Sequence, residues 1–187
     1  NVVGSTQARE TDAGVYNHAG PEIGVASSKA FTSQLVILTL ITLLLGRQSQ
    51  LSLVMGQRIC KELSRIPDIV KKALESDSHI KELAEKYKDF NNYLYLGRKY
   101  NYPIAREWAH KIKETAYVHA EGCRGGEPKH CELSLVSENF PSVCLVPSDS
   151  VYDKMVSNIE ELRARKGPII AIATEGNNDI KKIADDV

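Results

Sequence analysis

Along the first half of the chain, apolar residues return every three or four positions. In the second half they gather into short continuous runs between helical periods. The run from Ser27 through Phe31 to Gly46 predicts a long helix, with Ser27 and Ser28 as caps. Gly56 to Arg65, Asp68 to Ser76 and Ile80 to Lys88 predict three more, with Pro67 expected to separate the first two. Beyond Asn92, Tyr93 to Leu96, Ser142 to Val146 and Ile169 to Ala173 read as strands. Ile104 to Val118, Tyr152 to Arg165 and Asp179 to Ala184 read as the intervening helices. Strands that are apolar throughout and alternate with helices argue for an α/β fold, a parallel sheet covered on both faces. Two further strands are expected near the start, at Asn1 to Ser5 and Gly14 to Asn17.

Such sheets bind ligands beyond the carboxyl ends of their strands. That places Gly97-Arg98-Lys99-Tyr100 and Thr174-Glu175-Gly176 at the rim of a site.

Bulk composition narrows the classes. The 24 Lys and Arg balance 24 Asp and Glu, and no basic block stands out, which argues against a nucleic-acid partner. Cys60, Cys123, Cys131 and Cys144 follow no repeated spacing, a poor disulfide framework that points to a reducing cytoplasm. The most apolar stretch, Leu35 to Leu45, is about half the ~20 residues that a membrane span needs. It is expected to be a buried or interface helix, with no membrane partner.

Several segments together carry a resemblance. They are Ala19-Gly20-Pro21-Glu22-Ile23-Gly24-Val25-Ala26-Ser27-Ser28-Lys29-Ala30-Phe31, Leu94-Tyr95-Leu96-Gly97-Arg98, Asn101-Tyr102-Pro103-Ile104-Ala105, Lys111-Ile112-Lys113-Glu114, His119-Ala120-Glu121, Gly126-Glu127 and Lys129-His130. With them the whole chain resembles the sugar-isomerase (SIS) domains of the glucosamine-6-phosphate synthase family. The resemblance implies a flavodoxin-like SIS sheet. Residues 1–76 would be the end of one SIS subdomain with linking helices, and 77–187 a second subdomain lacking its C-terminal part. The family's Ser-Gln-Ser-Gly-Glu-Thr phosphate loop is not in the sequence.

The resemblance also implies a chemistry, ketose–aldose phosphate isomerisation, without a cofactor and without a metal. It needs a carboxylate base near the carbon acid and cationic groups near the developing enolate oxygen. By position Glu114 matches the base and Lys111 its neighbouring lysine. His130 matches a histidine that opens the sugar ring across a dimer interface, and Val25 and Ser27 match sugar contacts. A sugar phosphate, a homodimer and a cytoplasmic setting follow as expectations. Spacing alone puts Glu107, Lys111 and Glu114 at i, i+4 and i+7 on one helix face, which a solvated salt-bridge stripe also does.

Departures from the family pattern are dense here. The family helix reads Ala-Leu-Glu-Gly-Ala-Leu-Lys-Leu-Lys-Glu, whereas this one reads Ala105-Arg106-Glu107-Trp108-Ala109-His110-Lys111-Ile112-Lys113-Glu114. Lys99 stands where a second glycine is usual. Cys123-Arg124 replaces an aromatic and a small residue, Pro128 a leucine, and Cys131-Glu132 a Gly-Pro pair. Such changes fit either an engineered pocket or a drifted one. An alternative site follows, with Cys131 or Cys123 as thiolate nucleophile and His110 or His130 as base. Zinc on His119, Cys123, His130 and Cys131 would match no familiar ligand spacing, and buried cysteines often only fill space.

Overall fold

The structure is a computed structural model that describes residues 3–130 and 132–187. It divides into two compact units, Asn1–Ser78 and His79–Val187.

The first unit is helical. A short helix α1 (Thr6–Glu10) is capped by Ser5, whose side chain accepts the Ala8 N–H. Next come α2 (Lys29–Gln48) and α3 (Leu53–Leu74). The strand expected at Gly14 to Asn17 does not form. Of the strand expected at Asn1 to Ser5, Asn1 and Val2 lie outside the described residues, while Val3 and Gly4 form a turn. Capping of α2 also differs from expectation. Ser28 makes no side-chain cap bond. Instead Glu22 reaches in from six residues upstream, and its Oε1 accepts the N–H groups of Ser28 at 2.7 Å and Lys29 at 2.9 Å. A carboxylate is the stronger acceptor for orphan helix donors and also complements the dipole.

Pro67 does not end a helix, because α3 runs through it. The partly buried row Ile59, Leu63 and Ile66 keeps i, i+4, i+7 spacing up to the proline. Proline costs one backbone bond there, not the whole apolar face. Of the two readings of α2, a buried or an interface helix, the first does not hold, because none of its residues is buried. It is 20 residues long with a mean hydropathy of 1.7, long and apolar enough by those measures alone to cross a membrane, as many soluble core helices are.

The second unit is the α/β layer. Helix α4 (Asp77–Tyr87) leads to β1 (Asn92–Gly97), α5 (Asn101–Ala116), β2 (His119–Arg124), β3 (Ser142–Val146), α6 (Tyr152–Arg163) and β4 (Ile169–Ala173). All pairings are parallel, in the order β2-β1-β3-β4. One face of the sheet packs Leu94, Leu96, Cys144 and Val146 against Met155, Ile159 and Leu162 of α6. The other packs Tyr93, Tyr95, Val143 and Leu145 against Ala105, Ala109, Trp108 and Ile112 of α5, with Tyr87 of α4. The expected helix at Asp179 to Ala184 is a 3₁₀ turn, Ile180–Lys182. Asp186 then bridges to Ile170 in parallel.

Two glycines set how closely α5 approaches the sheet. A Cβ on Gly97 would lie 2.1 Å from the Asn101 carbonyl oxygen, and one on Gly122 would lie 2.5 Å from Arg106 Cα. Only hydrogen fits at either place, so α5 starts tightly off β1 and rests directly on β2.

Candidate active site

Helix α5 carries the charged cluster. Its first turn holds Pro103, which tolerates a helix start because that N–H would be unpaired anyway. Ala105 and Ala109 are buried against the sheet, and this turns Glu107, Lys111 and Glu114 to the side. Lys111 Nζ lies 3.1 Å from Glu107 Oε1 and 3.0 Å from Glu114 Oε2. His110 Nε2 lies 3.1 Å from the other Glu114 oxygen, Oε1. Both carboxylate oxygens of Glu114 are therefore engaged from its own helix. The hydrogen bond from Lys111 holds the Glu114 pKa below the usual carboxylate range against partial burial, and His110 adds to the lowering. The same hydrogen bond raises Lys111. A base tied this way is ionised at neutral pH but less basic than a free glutamate.

Trp108 packs against the sheet beside Ile112. It lines a cleft of about 340 Å³ with Tyr95, Lys111, Ile112, Thr115, Val143 and Ile172. Burial pushes the Tyr95 hydroxyl up to about 12, with the neighbouring Tyr93 adding to the effect, so this wall stays neutral. The indole occupies space along the same helix face that presents the Lys111–Glu114 pair.

The other expected residues lie outside α5. His130 sits in the 3₁₀ turn Pro128–His130 after β2, with Glu127 Oε2 at 4.0 Å. Among the described residues no hydrogen bond or ion pair links it to Glu114 or Lys111. Val25 and Ser27 belong to the first unit. Val25 is 80% exposed, and Ser27 hydrogen-bonds Glu22. That bond, with backbone N–H donors opposed by slight desolvation, brings the Glu22 pKa to about 2.

The cysteine–histidine alternative finds no support in Cys123. Its side chain is buried on β2, and burial, reinforced by Glu132 and Glu121, pushes the thiol up to about 12. Among the described residues it has no histidine partner. A desolvated thiol beside carboxylates is a poor nucleophile. Cys131 lies outside the described residues. Cys144 is fully buried and its thiol is raised further. Among the described residues no three metal-binding side chains converge.

The rim at the carboxyl ends of the strands is braced by its own side chains. Arg98 donates to Asn158 Oδ1 from Nε at 3.1 Å and from Nη2 at 2.8 Å. Lys99, in the left-handed region with φ of 49°, donates from Nζ to Ser150 Oγ at 2.6 Å. Thr174 Oγ1 accepts the Ser148 N–H at 2.8 Å. Sequence reasoning missed the brace role of Glu22 and Asn158. A buried asparagine on an apolar helix face, in Val156-Ser157-Asn158-Ile159, was the available signal for the second.

Comparison with known protein families decides what this layer is. The profile of the SIS domain matches residues 86–187. The chain belongs to the SIS domain family. Its SIS sequence is 48% identical over 187 residues to glutamine–fructose-6-phosphate aminotransferase (isomerizing) of Chlorobaculum tepidum, covering 100% of the chain and 30% of that protein. It is 44% identical over 188 residues to the Thermus thermophilus protein of the same name, with 100% and 31% covered. The C-terminal domain of glucosamine-fructose-6-phosphate aminotransferase from Francisella tularensis superposes with a TM-score of 0.92 at 40% identity. That match covers 97% of this chain and 50% of the other. The SIS chain thus spans about 30% of the length of the full-length relatives it matches.

Proposed function

We propose that this chain is a sugar-phosphate isomerase portion of an isomerising glutamine–fructose-6-phosphate aminotransferase, with Glu114 as base and Lys111 as its cationic neighbour. The carrying observation is the ion pair itself. A carboxylate and an ammonium 3.0 Å apart stand on α5, in a chain 48% identical end to end to such an enzyme. Glu114 would take the proton from the carbon next to the carbonyl, while Lys111 would stabilise the oxygen that becomes negative. His130 is assigned to ring opening and Val25 and Ser27 to sugar contacts, on the family pattern alone. In this reading residues 1–76 close one SIS subdomain and 77–187 form most of the next. The setting is cytoplasmic, and the exposed apolar face of α2 packs against protein in a homodimer.

Native turnover in this reading is impaired. Trp108 adds an indole where the family pattern has hydrogen, and overfilling a packed site costs about 1–3 kcal/mol or displaces the ligand. His110 also ties the second oxygen of Glu114, where the pattern has leucine. Glucose-6-phosphate formation from fructose-6-phosphate, followed with a coupled dehydrogenase, tests both parts. The expected result is slow turnover that Glu114→Gln abolishes. Turnover unchanged by Glu114→Gln would remove Glu114 as base, and a rate equal to that of an intact isomerase domain would refute the impairment.

A further inference from the structure

A second group of charges lies apart from the Glu114 cluster. Tyr102, in the first turn of α5, has Arg124 Cζ 4.9 Å and Arg106 Cζ 5.9 Å from its ring centroid. Neither guanidinium has a carboxylate or hydrogen-bond partner among the described residues. Both side chains are exposed, so water screens most of the repulsion between them while each is attracted to the ring. Their backbones are fixed as well. Arg106 Cα sits against Gly122, where a Cβ would be 2.5 Å away, and Arg124 is the last residue of β2, two positions on. The two arginines thus reach the same ring from a helix and a strand that cannot separate without opening the α5–β2 contact. They stand toward the carboxyl edge of the sheet, where α/β folds bind ligands.

We propose that Arg106 and Arg124, held on Tyr102, form an anion site that takes the phosphate group of a small molecule. Each guanidinium presents about five N–H donors in a planar fork that matches tetrahedral oxyanions. A phosphate dianion would accept charge-assisted hydrogen bonds from the two guanidinium groups. The shared recognition element is the phosphate, free or carried on a sugar. The site is independent of the reading of Glu114, since it uses neither Glu114 nor Lys111.

Titration of the chain with inorganic phosphate, with a sugar phosphate and with chloride at matched ionic strength tests this. Arginine Nε–Hε NMR signals and calorimetry follow binding. Saturable binding of either phosphate, with arginine signals moving, supports the site. A sugar phosphate that binds tighter than inorganic phosphate shows that the sugar is read too. Arg106→Leu and Arg124→Ala should each weaken binding at least tenfold. Tyr102→Leu, which keeps both charges but removes the platform, should weaken it as well. Tyr102→Phe, which keeps the ring, should retain most of the binding, and Lys166→Gln, which removes an exposed cation paired elsewhere with Glu138, should bind like the parent chain. Three results would overturn the proposal: non-saturating shifts equal to those of chloride, unchanged binding in the double arginine variant, or binding of an oligonucleotide without binding of phosphate.

Discussion

Gly97→Ala tests how the end of β1 is welded to the start of α5. The added Cβ would stand 2.1 Å from the Asn101 oxygen, 2.4 Å from its carbonyl carbon and 2.8 Å from the Tyr102 nitrogen. Ordinary contact begins near 3.4 Å, so more than an ångström must be found. All three atoms are backbone, and the helix cannot slide away, because Ala105 and Ala109 are buried at 0% and 2% exposure and Gly122 abuts Arg106. Overpacking costs about 1–3 kcal/mol, and a rigid obstacle places this case near the top. Loss of chain freedom in the unfolded state returns about 0.4–1 kcal/mol. The net expectation is a loss of roughly 2 kcal/mol. Urea unfolding should show it as a lower midpoint at an unchanged slope. Gly126→Ala is the control, because its new Cβ meets only the far end of Arg98, with Nη2 at 3.2 Å. A flexible guanidinium can move a few tenths of an ångström, and the cost should stay within about 0.5 kcal/mol. If Gly97→Ala and Gly126→Ala cost the same, the tight junction is not what positions α5.

Other outcomes follow from buried or paired groups. The Ser142 hydroxyl is buried without a partner among the described residues, so Ser142→Ala should be neutral or stabilise by up to about 1 kcal/mol, measured by urea denaturation. Burial raises the Asp186 pKa, but hydrogen bonds from Lys86 and Tyr87 outweigh it and bring the net value below the usual aspartate range. Its contribution is therefore present above about pH 4, the unfolded aspartate value, and is lost as pH falls through the lower folded value. Asp186→Asn should flatten that part of the acid-unfolding curve. Cys123 and Cys144 should resist iodoacetamide at pH 8 in the folded chain, while exposed Cys60 reacts. Mass mapping of the labelled sites checks this.

The central strands were legible because they are buried on both faces. Burial in β1 and β3 is almost unbroken, and continuous apolar runs leave no ambiguity about a parallel sheet. β2 escaped notice because it is an edge strand that buries only Ala120 and Cys123, and Gly122 within it looks like a loop residue. Pro67 misled because a local breaker was weighed above the apolar row before it. In the candidate site, the helical period put Lys111 and Glu114 on one face. Period alone could not reveal that His110 closes on the same carboxylate, because this depends on a rotamer at the next turn. The approach of Arg106 and Arg124 to one ring was invisible for another reason, since it joins residues from two elements through a glycine contact that only the fold creates.

The Asp186 contact also bears on the order of assembly. Its carboxylate receives hydrogen bonds from Lys86 at 2.6 Å and Tyr87 at 2.5 Å, groups about a hundred positions earlier in the chain, and its carbonyl accepts the Ala171 N–H at 2.8 Å. During synthesis α4 must wait for Asp186 before it can be tied to the edge of β4. Until then Tyr87 has neither its hydroxyl partner nor a closed layer around it. Contacts this distant along the chain slow folding and leave apolar surface open in the interval. A ribosome pausing anywhere between β1 and β4 would therefore hold out a half-covered sheet, the species that chaperones are most apt to meet.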